Sequence, residues 1–100
     1  MIKHIVMWNV QGETPEEKRR TAQLIREKFE GLRGEIPGLL KLEIGINSSR
    51  ISYACDVVLY SEFKDLDALT KYADHAAHQR VKSELDGLRI ARHQVDYEFP

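Results

Sequence analysis

Tyr72, His75 and His78 follow one another at intervals of three residues in a stretch with helical rhythm. In one continuous helix they would line a slanted face. An imidazole with an ordinary pKa of about 6.5 can take or give a proton near neutrality. A phenol beside it can hydrogen-bond an oxygen on which negative charge develops, as in an enolate. Asp96, on the last predicted strand, could hold the second nitrogen of His78, fixing the tautomer and leaving the other nitrogen as a general base. The same His78–Asp96 pair could instead simply tie helix to sheet. His4, near the start of the chain, shares a strand face with Val6 and Trp8 and is either a hydrogen-bonded structural histidine or part of a pocket wall.

The same residues bear on two further chemistries. His75 and His78 with His4 or Asp96 could make a three-ligand metal site, but the spacing lacks the specificity of an HExxH helix. No glycine-rich phosphate loop is present, and no metal or cofactor is predicted. Cys55 lies among Val57 and Leu59 and reads as a small buried hydrophobe. Asp56 is the odd carboxylate of an apolar run and calls for a partner: Arg50, Arg92 or a backbone donor. Trp8, Ile25 and Phe29 could wall an apolar chamber, with core packing as the competing role for Trp8.

The elements that must position these residues follow from periodicity. Residues 2–10 alternate as a strand, with Ile2, His4, Val6, Trp8 and Val10 on one face and Lys3, Ile5, Met7 and Asn9 on the other. Thr14-Pro15-Glu16-Glu17 carries an N-cap, a proline at the first helical position and a capping box. The stripe Ala22, Ile25, Phe29, Leu32, Ile36 extends that predicted helix to Pro37-Gly38. Leu40 to Ile46 and Tyr53 to Tyr60 read as a hairpin across Asn47-Ser48-Ser49-Arg50. A second helical region from Ser61 or Asp65 runs to Gly87, with a possible break near His75. A last strand covers about residues 89–99, with Ile90, Arg92, Gln94, Asp96 and Glu98 on one face.

This β-α-β-β-α-β order predicts an α+β, ferredoxin-like sandwich of four antiparallel strands with helices on one face, in a single domain over residues 1–100. Strand one is apolar on both faces, and the chain has no residues left for a third layer. A homodimer packed through its sheet faces would cover the surplus.

With 100 residues, 31% charged, 42% hydrophobic and a formal charge of -1, the chain is ordinary globular material. It has no basic face for nucleic acid, no apolar run long enough for a membrane and no signal-peptide pattern. One cysteine cannot form an internal disulfide, so a cytoplasmic chain is the expectation.

Ile2-Lys3-His4-Ile5-Val6, Ile36-Pro37-Gly38-Leu39 followed by Gly45, and Asp56-Val57-Val58-Leu59 before Phe63 resemble the stress-responsive α/β-barrel (Dabb) family. Tyr72-Ala73-Asp74-His75-Ala76-Ala77-His78 and Val95-Asp96-Tyr97 extend the resemblance to nearly the whole chain. It implies a dimeric α+β barrel. A plant polyketide cyclase of that family closes a linear poly-β-keto thioester by aldol condensation, and its site residues resemble His4, Tyr72, His78 and Asp96. A pocket tyrosine of that enzyme falls at Phe29 here, and the family's His-Pro-x-His run reads His75-Ala76-Ala77-His78. The expected function is binding of a small apolar or aromatic ligand in a helix–sheet cavity, with Trp8, Ile25, Phe29 and His75 as contacts. The alternative is a cyclase, isomerase or lyase-like enzyme with His78, Tyr72, Asp96 and His4 as its catalytic set. Whether the chain turns anything over stays open on the sequence.

Overall fold

Alternating burial along Ile2–Val10 makes the first strand, β1, and sends His4, Val6, Trp8 and Val10 beneath the helices. A computed structural model describes residues 1–100 and continues with α1 (Pro15–Glu30), β2 (Leu39–Ile46) and β3 (Val57–Phe63). Then come α2 (Leu66–Asp74), α3 (Ala76–Glu84) and β4 (Arg89–Glu98). All pairings are antiparallel in the order β2-β3-β1-β4, which is the ferredoxin-like α+β topology.

Helix α1 begins where the sequence places it. Thr14 Oγ1 accepts from Glu17 N at 3.1 Å, and Glu17 Oε2 reaches back to Thr14 N at 3.3 Å. It ends at Glu30, earlier than its apolar stripe suggests. Gly31 and then Gly34, at φ 80°, turn the chain. Leu32 and Ile36 are nevertheless buried, so the turns keep feeding the core that the helix began. Phe29, Phe63, Ile25 and Leu59 are among its largest fully buried members, each worth about 1.5–3 kcal/mol of transfer free energy.

β3 also starts later than expected, at Val57. The segment 47–56 is a loop, and Tyr53 in it is 88% exposed. Asn47 forms an Asx turn with Ser49, and Asp56 latches the loop to the end of β1. Asp56 Oδ2 accepts from Val10 N at 2.9 Å, and Asp56 N donates to the Trp8 carbonyl at 2.9 Å. A backbone donor is therefore the partner this carboxylate needed.

One irregularity changes which side chains face the helices. Between Met7 and Asn9 the β1–β4 register shifts, and Ala91 adopts a φ of 51°. The extra residue is a β-bulge. It places Ile90 opposite Asn9 on the free face and Arg89 opposite Val10 on the helix face. Unbroken alternation had put Ile90 on the face of Arg92 and Asp96. The free sheet face stays uncovered, with Met7, Val95 and Tyr97 exposed side by side. No helix is long and apolar enough to cross a membrane.

Candidate functional site

Helix α2 is capped by Asp65, whose carboxylate accepts from Ala68 N at 2.8 Å, and carries Tyr72 inward on its last turn. At His75 the backbone leaves the helix, with φ -66° and ψ 136°. The His75 side chain then caps α3: Nδ1 accepts from Ala77 N at 3.0 Å. The break that the sequence allows near His75 is present, so Tyr72, His75 and His78 do not share one helix face, and His75 is a capping residue outside the pocket. The break brings His78, in the first turn of α3, back over Tyr72. Their rings stack at 4.1 Å between centroids and 28° between planes.

The expected His78–Asp96 pair does not form. His78 Nδ1 lies 3.3 Å from the Ala73 carbonyl at the end of α2, which also accepts from Gln79 Nε2 at 2.6 Å. Donation from Nδ1–H leaves Nε2 with its lone pair. Burial pulls the imidazole pKa below the ordinary histidine value, the nearby Ala73 carbonyl opposing only in part, so the neutral form is favoured.

Asp96 is taken by His4 instead. The two stand opposite each other in the β1–β4 register, and His4 Nδ1 lies 2.5 Å from Asp96 Oδ1. The chain of contacts continues along the same face of β4. Gln94 Nε2 donates to Asp96 Oδ2 at 2.9 Å, and Arg92 Nε donates to Gln94 Oε1 at 3.1 Å. Cross-strand neighbours meet without any help from the helices, which is why His4 wins this carboxylate.

Tyr72 is 3% exposed, and its hydroxyl has no hydrogen-bond partner. Burial raises the phenol well above its ordinary pKa, with the Arg89 and Arg92 charges opposing weakly, so it stays an O–H donor. An unmet buried hydroxyl costs about 1–3 kcal/mol. Its ring meets His4 edge-on at 6.1 Å and Phe63 at 5.1 Å.

These groups line a cavity of about 400 Å³ between helices and sheet. Val6, Trp8, Phe29, Leu59, Leu66 and Leu69 form its apolar wall, and His4, Tyr72, Asp74, His78, Gln94 and Asp96 are on its polar one. Trp8 stacks on Phe29 at 5.5 Å. Ile25 is fully buried in the core and does not reach the cavity, in contrast to the contact expected for it. Lys82, Arg89 and Arg92 also line the space; sequence reasoning weighs them only as a basic face for nucleic acid and does not place them in the site. Arg89 lies over Trp8 at 4.9 Å and over Phe29 at 5.5 Å. No cluster of three or more His, Cys, Asp or Glu side chains is placed to hold a metal ion.

Comparison with known proteins agrees with this architecture. The model of the stress responsive A/B barrel domain, Dabb, matches residues 2–99. An uncharacterised protein of Streptomyces coelicolor is 33% identical over 79 residues, covering 79% of this chain and 80% of its own. A crystal structure of a dimeric, ferredoxin-like protein of unknown function from Bacteroides fragilis is 34% identical. It has a TM-score of 0.85 and covers 98% of this chain and 95% of that one. Another dimeric ferredoxin-like protein of unknown function, from Jannaschia, is 27% identical with a TM-score of 0.77 and covers 98% of both chains. The chain belongs to the stress-responsive α/β-barrel (Dabb) family.

Proposed function

We propose that the protein is a homodimer that binds a small aromatic ligand in the cavity between helices and sheet. The observation that carries this reading is a preformed 400 Å³ space faced by Trp8 and Phe29 and lined by Tyr72, whose buried hydroxyl has no partner. Apolar pockets with a few convergent polar groups are the usual form of small-molecule sites. The dimer rests on the uncovered apolar sheet face and on the dimeric state of the Bacteroides fragilis relative. The chain has a single tryptophan, so the Trp8 indole N–H gives one NMR cross-peak that reports on the cavity. Titration with β-naphthol should shift that peak to saturation at one molecule per chain. Absence of any saturable shift defeats the reading.

A second reading, proton transfer at a carbon acid, draws on the stacked Tyr72–His78 pair. In it His78 Nε2 takes the proton from a carbon beside a carbonyl, and the Tyr72 O–H donates to the enolate oxygen that forms. The Ala73 carbonyl performs the orienting role that sequence reasoning gave to Asp96. This supports the cyclase, isomerase or lyase-like class without selecting within it. Deuterium uptake at the α-carbon of an aryl ketone such as propiophenone should be accelerated by the protein and lost in His78→Ala. Uptake equal to that in buffer removes the enzymatic reading and leaves the binding one.

A further inference from the structure

The cations at the edge of the cavity have no anion of their own. Arg89 is half-buried, stands over the faces of Trp8 and Phe29, and takes part in no ion pair. Its guanidinium cannot shed its proton, and its five N–H donors call for acceptors. Arg92 Nε donates to the neutral Gln94, and neither Asp74 nor Asp96, the carboxylates that line the same cavity, forms an ion pair with either arginine. Burial, and then the Arg92 charge, depress the Arg89 pKa, as expected for a cation lacking compensation. Asp96, on the same wall, is already shared between His4 and Gln94. A shallower cleft of about 250 Å³ shares Trp8, Lys82, Arg89 and Arg92 with the main cavity, so this charged edge has room beside it.

We infer that the ligand is an aryl carboxylate, its ring held against the apolar wall and its carboxylate taken by Arg89 with Arg92 beside it. The inference rests on the reading of the cavity as a ligand site and adds the charge of the ligand. A guanidinium fork matches a carboxylate in two parallel hydrogen bonds, and the aromatic faces behind Arg89 hold the fork in place. The β-bulge at Ala91 is what makes the arrangement possible, because unbroken alternation would turn Arg89 to the other face of the sheet.

The test compares β-naphthoate with its neutral isostere β-naphthamide, followed through the Trp8 indole peak at neutral pH and physiological salt. The acid should bind at least about tenfold more tightly than the amide, the scale of a charge-assisted pair over a neutral one. Arg89→Gln should bring the two affinities together, and Arg92→Gln should narrow the gap by less. Equal affinities in the unaltered protein overturn the anion inference and leave the pocket reading standing. A gap that persists in Arg89→Gln overturns the assignment to Arg89. Saturation by neither compound overturns the pocket reading and the inference with it. The comparison in the unaltered protein decides the matter even if Arg89→Gln fails to fold.

Discussion

His4 on β1 and Asp96 on β4 face each other across the sheet with Nδ1 and Oδ1 2.5 Å apart, although 92 residues separate them in the chain. The imidazole is buried while the carboxylate keeps about a third of its surface, at 32%. A hydrogen bond to a carboxylate that is sealed on one side gains more than a fully exposed contact would. A double-mutant cycle of His4→Gln and Asp96→Asn in urea should give a coupling of about 1–2 kcal/mol. Additive effects would show that the two side chains do not stabilise each other.

The His78 ring predicts a pH dependence of known sign. Its folded-state pKa lies below the unfolded one, chiefly through burial. Above about pH 6.5 both states hold it neutral and it imposes no penalty. As pH falls below that value the unfolded chain takes the proton first, so stability drops until the folded-state pKa is passed. An NMR titration should place the His78 midpoint below about 6.5, and His78→Gln should lose less stability on acidification. A midpoint above the ordinary value contradicts this.

Much of the fold is legible in residue types. The strand alternation of residues 2–10, the Thr14–Glu17 capping box and the helical stripe around Phe29 each correspond to what the structure builds. What escapes is whatever depends on register. Nothing in the sequence near Ala91 marks a bulge, as a glycine would have done, so Arg89 could not be placed in the cavity. The break allowed near His75 is present, but His75 lacks the short oxygen side chain of a usual N-cap, so its capping role outside the pocket was not legible. The partner of Asp96 depended on which residue lies across from it, and side-chain spacing along one segment carries no such information.

Gly38 couples α2, and with it Tyr72, to the start of β2. Its φ is 80°, and a Cβ there would lie 2.5 Å from Ala68 Cβ. Gly38→Ala should cost about 2–4 kcal/mol, combining left-handed backbone strain with overpacking. Gly34 has the same φ and nothing within 4 Å, so Gly34→Ala should cost only about 1–2 kcal/mol. Urea midpoints of the two variants give the comparison. Equal losses would mean that the close approach of Ala68 does not matter.

The proposed dimer predicts its own disruption. Light scattering at micromolar concentration should return about twice the chain mass of 11.6 kDa. Met7→Asp introduces a charge on the uncovered sheet face beside Val95 and should dissociate or unfold the protein. A monomer of full stability would rule the interface out.

A small aromatic molecule held between the helices and the sheet is located directly by intermolecular NOEs. With methyl groups labelled and β-naphthamide bound, the ring protons should show NOEs to the methyls of Val6, Leu59 and Leu69, which line the cavity. NOEs to Ile5, Met7 or Val95 on the opposite sheet face, with none inside the cavity, would show that the cavity is not the binding site.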